Sequence, residues 1–121
     1  MSGTVLVVDD SKLMHKMYEV MLRPYSLLHA YDGREALEKL REHPQVRFVL
    51  LDINMPVMDG LEFLEQVHRD GNQPPPVIVV STEGRQEDTQ RGLEAGAVAY
   101  ITKPFSSTEL REVIDRLPGE R

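Results

Sequence analysis

The sequence contains no cysteine and no tryptophan, and aromatic residues make up only 6% of its 121 residues. Without cysteine, the chain forms no disulfide bonds and offers no thiolate ligands to a metal. No apolar run approaches the roughly 20 residues of a membrane-spanning helix. The N-terminus has neither the cationic nor the long apolar section of a signal peptide. These absences predict a cytoplasmic protein that does not interact with membranes.

Positive charge is also scarce, because 14 lysine and arginine residues stand against 20 acidic residues, a net charge of -6. Non-specific binding to nucleic acid needs a basic face, so we expect no direct contact with nucleic acid. Hydrophobic residues make up 40% of the chain, which is enough for a packed core. The length suits one ordinary domain, and we interpret residues 1–121 as a single domain.

Short β-branched runs alternate with amphipathic stretches along the whole chain. The predicted strands are Val5–Val8, Ser26–Ala30, Val46–Leu51, Val77–Val80 and Ala99–Thr102. The predicted helices are Ser11–Leu22, Arg34–Glu42, Gly60–Arg69, Gln86–Ala95 and Ser107–Leu117. Apolar strands separated by helices predict an α/β fold, a (βα)₅ doubly wound parallel sheet covered by helices on both faces.

The first helix and the histidines are less informative. Apolar residues recur at helical spacing in this helix, at Leu13, Met14, Met17, Val20 and Met21. We interpret its three methionines as core packing. The histidines are scattered, and we assign no role to them: His15, His29, His43 and His68.

Polar residues end four of the five predicted strands. Asp9 and Asp10 follow the first strand, Asp52 the third, Ser81 and Thr82 the fourth, and Lys103 comes just after the fifth. In open parallel sheets, ligands bind beyond the carboxyl ends of the strands. We therefore expect three carboxylates, a hydroxyl and an ammonium to converge on one cleft.

Three neighbouring carboxylates repel one another, and one of them would normally take up a proton. A divalent cation removes this problem, because its charge and that of Lys103 together balance the three carboxylates. Oxygen ligands on a partly open site suit Mg²⁺, or Mn²⁺ in its place, whereas no histidine has the spacing of a zinc ligand. Asp52 is then an oxygen nucleophile, able to form an acyl phosphate, or a metal ligand.

Each of these residues also has an ordinary structural interpretation. Residues 9–11 suit a helix cap, Asp52 a turn, Ser81 a strand end and Lys103 a surface turn. Independent capping and turns do not predict that polar groups terminate four strands at one edge. The coincidence therefore favours a functional site.

Several motifs together resemble the receiver domain of two-component response regulators. They are Asp9–Asp10 after VLVV, Asp52 in LLDINMPVMDG, Ser81 in VIVVST and Lys103 in AYITKPF, with GREAL at 33–37 and Gly96–Ala97. The resemblance covers essentially the whole chain, and DxNMPxMDG combined with KPF is highly specific. It implies the flavodoxin-like strand order 2-1-3-4-5.

The resemblance also implies roles around the acidic cluster. Asp52 would be the phosphoacceptor. Asp10 would bind Mg²⁺ directly and Asp9 through water, and the backbone carbonyl of Asn54 would complete the protein ligands. Asn54 and Glu83 would tune the lifetime of the phosphoryl group, because the family's residues there line the path of the attacking water.

Further implied roles concern the switch. Lys103 would pair with Asp52 and the phosphoryl group, and its bond to Pro104 would be cis. Periodicity leaves open whether Ser81 or Thr82 faces the site. The family spacing selects Ser81, which would bond the phosphoryl oxygen and move together with Tyr100. Thr82 departs from the family's usual alanine.

The function implied is a phosphorelay signalling switch of the chemotaxis-like kind. A histidine kinase or histidine phosphotransfer protein would donate the phosphoryl group. The fourth helix, fifth strand and fifth helix would then present a changed surface to a downstream protein. The protein would catalyse its own phosphoryl transfer and dephosphorylation without otherwise being an enzyme.

Two alternatives remain from the sequence. One is a phosphorylation-independent binding module on the same fold. The other is a Mg²⁺-dependent aspartyl-phosphate phosphatase, although such enzymes have D-x-D after the first strand, where this chain has the adjacent pair Asp9–Asp10. They also usually carry a cap domain, for which 121 residues leave no room.

Overall fold

The structure is a computed structural model that describes residues 3–53, 60–69, 74–82 and 86–117. Within these residues a five-stranded sheet has the order β2-β1-β3-β4-β5, and every pairing is parallel. The strands are β1 Thr4–Val8, β2 Ser26–Ala30, β3 Phe48–Asp52, β4 Val77–Thr82 and β5 Ala99–Lys103. The helices are α1 Lys12–Met21, α2 Gly33–Glu42, α3 Gly60–Arg69, α4 Gln86–Glu94 and α5 Ser107–Asp115. The predicted fold and strand order are confirmed.

The strands extend further toward their carboxyl ends than the apolar runs indicate. Asp52 pairs with Val80 in the register of β3 and β4, and Thr82 pairs with Lys103 in that of β4 and β5. Backbone pairing does not depend on side-chain polarity, so the hydrogen-bonded strands continue through these polar residues. Val46 is the opposite case: it is buried but lies before β3, where its N–H donates to the carbonyl of His43.

Two cores lie on the two faces of the sheet. Helices α1 and α5 cover one face, with Tyr18, Leu22, Leu110 and Ile114 buried among β-strand residues. Helices α2, α3 and α4 cover the other face. Because strand side chains alternate, each position on a strand belongs to one face only. The part of the chain that the structure describes has no helix with the length and apolar character needed to cross a membrane.

The face that α1 turns inward differs from the one its aliphatic spacing indicates. Met14 and Met21 pack against the core as predicted, but the prediction is wrong for Met17, which is exposed, as are Leu13 and Val20. The residues that α1 buries are His15 and Tyr18. Their rings carry large apolar surfaces, and the interior supplies hydrogen bonds to the imidazole of His15, so they occupy the inward stripe.

Candidate functional site

The polar strand ends meet at the carboxyl edge of the sheet. Side chains two residues apart on a strand point to the same face of the sheet. Asp9 lies two residues after Val7, Asp52 two after Leu50 and Lys103 two after Ile101. All three therefore lie on the sheet face that α1 and α5 cover. Ser81 and Tyr100 alternate the other way, toward the face that α4 covers.

Three carboxylates converge at this edge. Asp9, Asp10 and Asp52 each offer an oxygen, and these atoms all lie within 4.8 Å of one another. Asp9 is 1% exposed, and its Oδ1 accepts a hydrogen bond of 2.8 Å from the backbone N–H of Ser11. Asp10 is exposed and Asp52 is 12% exposed, so the cluster opens to solvent on one side. The N-cap of α1 is Ser11, which leaves both preceding carboxylates outside the cap.

The Lys103 ammonium lies between two of these carboxylates. Its Nζ donates to Asp9 Oδ2 at 3.3 Å and lies 3.9 Å from Asp52 Oδ2. The sequence resemblance implies Asp52 as the partner of Lys103. The ammonium is nevertheless nearer to Asp9 than to Asp52. The peptide bond between Lys103 and Pro104 is cis, which confirms that expectation.

The donor set fits a hard divalent cation. Three carboxylates and one ammonium leave a net charge of about -2, which a dication neutralises. Within the described ranges no other group of three acidic, histidine or cysteine side chains has comparable geometry. Oxygen donors with an open side are what Mg²⁺ prefers. The family resemblance implies a ligand carbonyl from Asn54 and a lifetime role for Asn54 and Glu83, but both residues lie outside the described part of the chain.

Ser81 and Tyr100 lie beside a cavity between α4 and β5. The Ser81 side chain is 2% exposed, whereas Thr82 is exposed and Tyr100 is 51% exposed. The cavity has a volume of about 590 Å³, and its lining includes Ser81, Thr89, Tyr100 and Lys103. The Ser81 hydroxyl lies 2.9 Å from the Thr89 hydroxyl of α4. The buried residue at the end of β4 is therefore Ser81, the one that the family spacing selects.

Tyr18 lies near the site and is not among the residues predicted from the sequence. It is fully buried on α1, and this burial raises the pKa of its phenol, helped by the negative charges of Asp9 and Asp52. The phenol therefore stays neutral over the physiological range. A helical stripe that counted aromatic residues as apolar would have placed Tyr18 inside, four residues after Met14.

Two histidines form a hydrogen-bonded chain that ends at the backbone of Asp9. His15 Nε2 lies 2.7 Å from the Asp9 carbonyl, which only accepts, so this nitrogen donates. Burial is the main cause that lowers the pKa of His15 and favours its neutral ring. Its Nδ1 then accepts from His29 Nδ1 at 2.6 Å, and His29 Nε2 lies 3.0 Å from Glu19. The chain braces the backbone that carries the Asp9 carboxylate.

Several known proteins are similar to this chain in sequence. The family model described as "Response regulator receiver domain" matches residues 5–115. Chemotaxis protein CheY1 of Helicobacter pylori is 34% identical over 119 residues, which cover 95% of this chain and 96% of that protein. A protein-glutamate methylesterase/protein-glutamine glutaminase of Geobacillus kaustophilus is 43% identical over 126 residues, covering 96% of this chain but only 35% of that protein.

A solved structure is also similar. Vibrio cholerae chemotaxis protein CheY4 superimposes with a TM-score of 0.85 at 33% identity, over 96% of this chain and 98% of the other. Coverage of the curated relatives varies, because the chain spans 45% of a further response regulator and 35% of the methylesterase. The matched region in each case includes most of the present chain.

Proposed function

The chain belongs to the receiver domains of two-component response regulators, the phosphoacceptor modules of these systems, and on this premise we propose that Asp52 accepts a phosphoryl group in a Mg²⁺-dependent reaction. The donor is a phosphohistidine of a histidine kinase or of a histidine phosphotransfer protein. The phosphorylated domain then presents a changed α4–β5–α5 surface to a downstream protein.

The observation that carries this proposal is the convergence of Asp9, Asp10 and Asp52, whose oxygens lie within 4.8 Å of one another beside Lys103. Asp52 is the partly exposed member at the end of a central strand, so a donor can reach it. Asp9 is buried and already accepts hydrogen bonds from Ser11 and Lys103. This division supports Asp52 as acceptor and Asp9 as a fixed anchor of the site.

The transfer is a displacement at phosphorus. An Asp52 carboxylate oxygen forms a bond to phosphorus while the bond between phosphorus and one imidazole nitrogen of the donor breaks. The donor ring carries a proton on its other nitrogen, so it leaves as neutral imidazole. The Lys103 ammonium lies close enough to stabilise the negative charge that develops on the transferring group. Asp9, Asp10 and Asp52 would hold Mg²⁺, which when bound neutralises the phosphoryl oxygens. Asn54 is proposed to contribute its carbonyl, and Asn54 and Glu83 are proposed to tune the lifetime.

The signal is proposed to leave the site through Ser81 and Tyr100. Phosphorylation adds about -1.5 to -2 charges and strong hydrogen-bond acceptors. A bond from Ser81 to the new group would draw the end of β4 toward Asp52. The 590 Å³ cavity between α4 and β5 offers space for the half-exposed ring of Tyr100 to move inward. The change is a shift in population between two states.

The protein acts in this proposal as a switch that catalyses its own phosphoryl transfer and dephosphorylation, not as an enzyme with a separate substrate. The test is Mg²⁺-dependent labelling by a small acyl phosphate donor. We expect Asp52→Asn to abolish labelling, because an amide oxygen is a poor nucleophile, and Asp115→Asn, at an exposed carboxylate of α5, to label normally.

Three results would reject the proposal. Labelling of Asp52→Asn at the normal rate would exclude Asp52 as the acceptor. Rapid multi-turnover hydrolysis of simple phosphate esters would instead favour a phosphatase. If wild-type protein takes no label and still binds its partner, a phosphorylation-independent module is the better assignment.

A further inference from the structure

The hydroxyl pair between Ser81 and Thr89 joins the end of β4 to α4. The Ser81 hydroxyl is buried, and its distance of 2.9 Å from Thr89 Oγ1 lies in the normal range for a hydrogen bond between two hydroxyls. A buried hydroxyl without a partner is costly, so this contact stabilises Ser81 where it lies. Thr89 is not among the residues to which the sequence resemblance gives a role.

The packing of α4 explains why Thr89 reaches Ser81. Gly92 is the buried residue of α4, and a methyl group there would come within 2.8 Å of Val79 Cγ2. The helix therefore lies very close to β4, and a larger side chain at position 92 would force Val79 or the helix to shift. Thr89 precedes Gly92 by three residues and so shares its face of the helix. Ser81 follows Val79 by two residues and shares its face of the sheet.

The same hydroxyl is needed for two partners. A serine hydroxyl has a single hydrogen to donate, and phosphoryl oxygens only accept at neutral pH. Either hydroxyl can be the donor in the contact between Ser81 and Thr89, so the orientation of the Ser81 side chain, not its single hydrogen, decides whether both contacts form. Asp52 alternates toward the other face of the sheet, so the Ser81 hydroxyl has to turn away from Thr89 and α4 to reach a phosphoryl group there. Phosphorylation and Thr89 therefore compete for Ser81.

We propose that Thr89 is a positioning residue, which holds the Ser81 hydroxyl against α4 in the unphosphorylated protein and thereby sets the balance between the two states of the switch. This inference rests on the proposed function and assigns a new residue to it. Losing the Thr89 hydroxyl leaves Ser81 buried without this partner in the unphosphorylated state. The phosphorylated state, in which Ser81 bonds the phosphoryl group, loses nothing comparable. The balance then moves toward the phosphorylated form.

The test compares the affinity for beryllium fluoride, a tetrahedral phosphoryl mimic, in the presence of Mg²⁺. Thr89→Val keeps the shape of the side chain and removes the hydroxyl. We expect it to bind the mimic about two- to tenfold more tightly, the range that corresponds to one neutral hydrogen bond. Thr89→Ala should behave in the same way, and Thr89→Ser should stay close to wild type. Thr108→Val, the same change at an exposed position of α5, is the matched control.

A double-mutant cycle separates positioning from general destabilisation of α4. In a Ser81→Ala background the competition is gone, so Thr89→Val should change the affinity for the mimic by less than about 1.5-fold. An unchanged or weaker affinity in the single Thr89 variants overturns the inference, as does an equal effect in both backgrounds. If wild-type protein does not bind the mimic at all, the proposed function fails together with the inference. If wild type binds and the Thr89 variants match it, only the inference fails.

Discussion

Replacing Lys103 with methionine tests the electrostatics of the site directly. The ammonium lies 3.3 Å from Asp9 Oδ2 and 3.9 Å from Asp52 Oδ2. With an effective dielectric constant of about 20, these distances correspond to attractions of about 5 and about 4 kcal/mol, before the cost of desolvation. Asp9 is almost completely buried, so the variant leaves a buried carboxylate without its opposite charge. Removing one partner of a buried pair costs about 3–5 kcal/mol.

Solvent screening lowers this expectation, because the Lys103 side chain is 26% exposed. We therefore expect Lys103→Met to reduce the free energy of unfolding by about 2 to 3 kcal/mol in the absence of Mg²⁺. Mg²⁺ should recover most of this loss, because the net charge of the site has changed from about -2 to about -3 and a dication is attracted more strongly. The affinity for Mg²⁺ should rise correspondingly.

Urea unfolding with and without Mg²⁺ measures both effects, and Lys16→Met is the control, since it removes the same charge from an exposed position of α1. The reasoning is refuted if Lys103→Met is no less stable than Lys16→Met without Mg²⁺. It is also refuted if Mg²⁺ stabilises Lys103→Met no more than wild type. Either result would mean that the ammonium does not balance the carboxylates.

Three further predictions concern separate parts of the molecule. Arg111 donates to the carbonyls of Met21 and Arg23 at 2.8 and 2.9 Å, so Arg111→Ala should lower the free energy of unfolding by about 1 kcal/mol in thermal denaturation without affecting labelling; an unchanged midpoint contradicts this. Burial lowers the pKa of His15 from 6.5, so the unfolded state binds its proton more readily and stability falls as the pH drops below 6.5. His15→Gln should show a flatter decline between pH 7 and 5 in urea titrations, and an equal slope counts against this. Asp10→Ala should weaken Mg²⁺ binding at least about tenfold in calorimetry, because even the loss of a residue that only supports a metal ligand costs about 10–100-fold, and equal affinity would exclude the ligand role.

The fold and the acidic cluster could be predicted because their signals are local. Each strand is a short apolar run, and a parallel sheet brings the residues that follow such runs to one edge. Asp9, Asp52 and Lys103 are therefore placed together by topology alone. Their distance from one another in the sequence does not matter, since every strand ends at the same edge.

Features that depend on packing could not be predicted in this way. The prediction that Met17 faces inward on α1 was wrong, because it considered only aliphatic residues. The structure buries His15 and Tyr18 on that face instead. The contact between Ser81 and Thr89 depends on how closely α4 lies on β4, which Gly92 permits but no periodicity reveals. The position of Lys103 nearer to Asp9 than to Asp52 is likewise a matter of side-chain geometry. Such contacts join elements whose relative positions only the folded chain fixes.

The central claim is that Asp52 carries phosphorus next to a magnesium ion held by neighbouring carboxylates. One experiment locates the phosphorylated residue directly. The protein is incubated with a small acyl phosphate and reduced with borohydride, which converts an aspartyl phosphate to homoserine, and peptide mass spectrometry then finds the modified position. We predict homoserine at position 52 in samples that contain Mg²⁺ and none after chelation. Homoserine at Asp9 or Asp10, or equal conversion of Asp52 without the metal, would contradict the account.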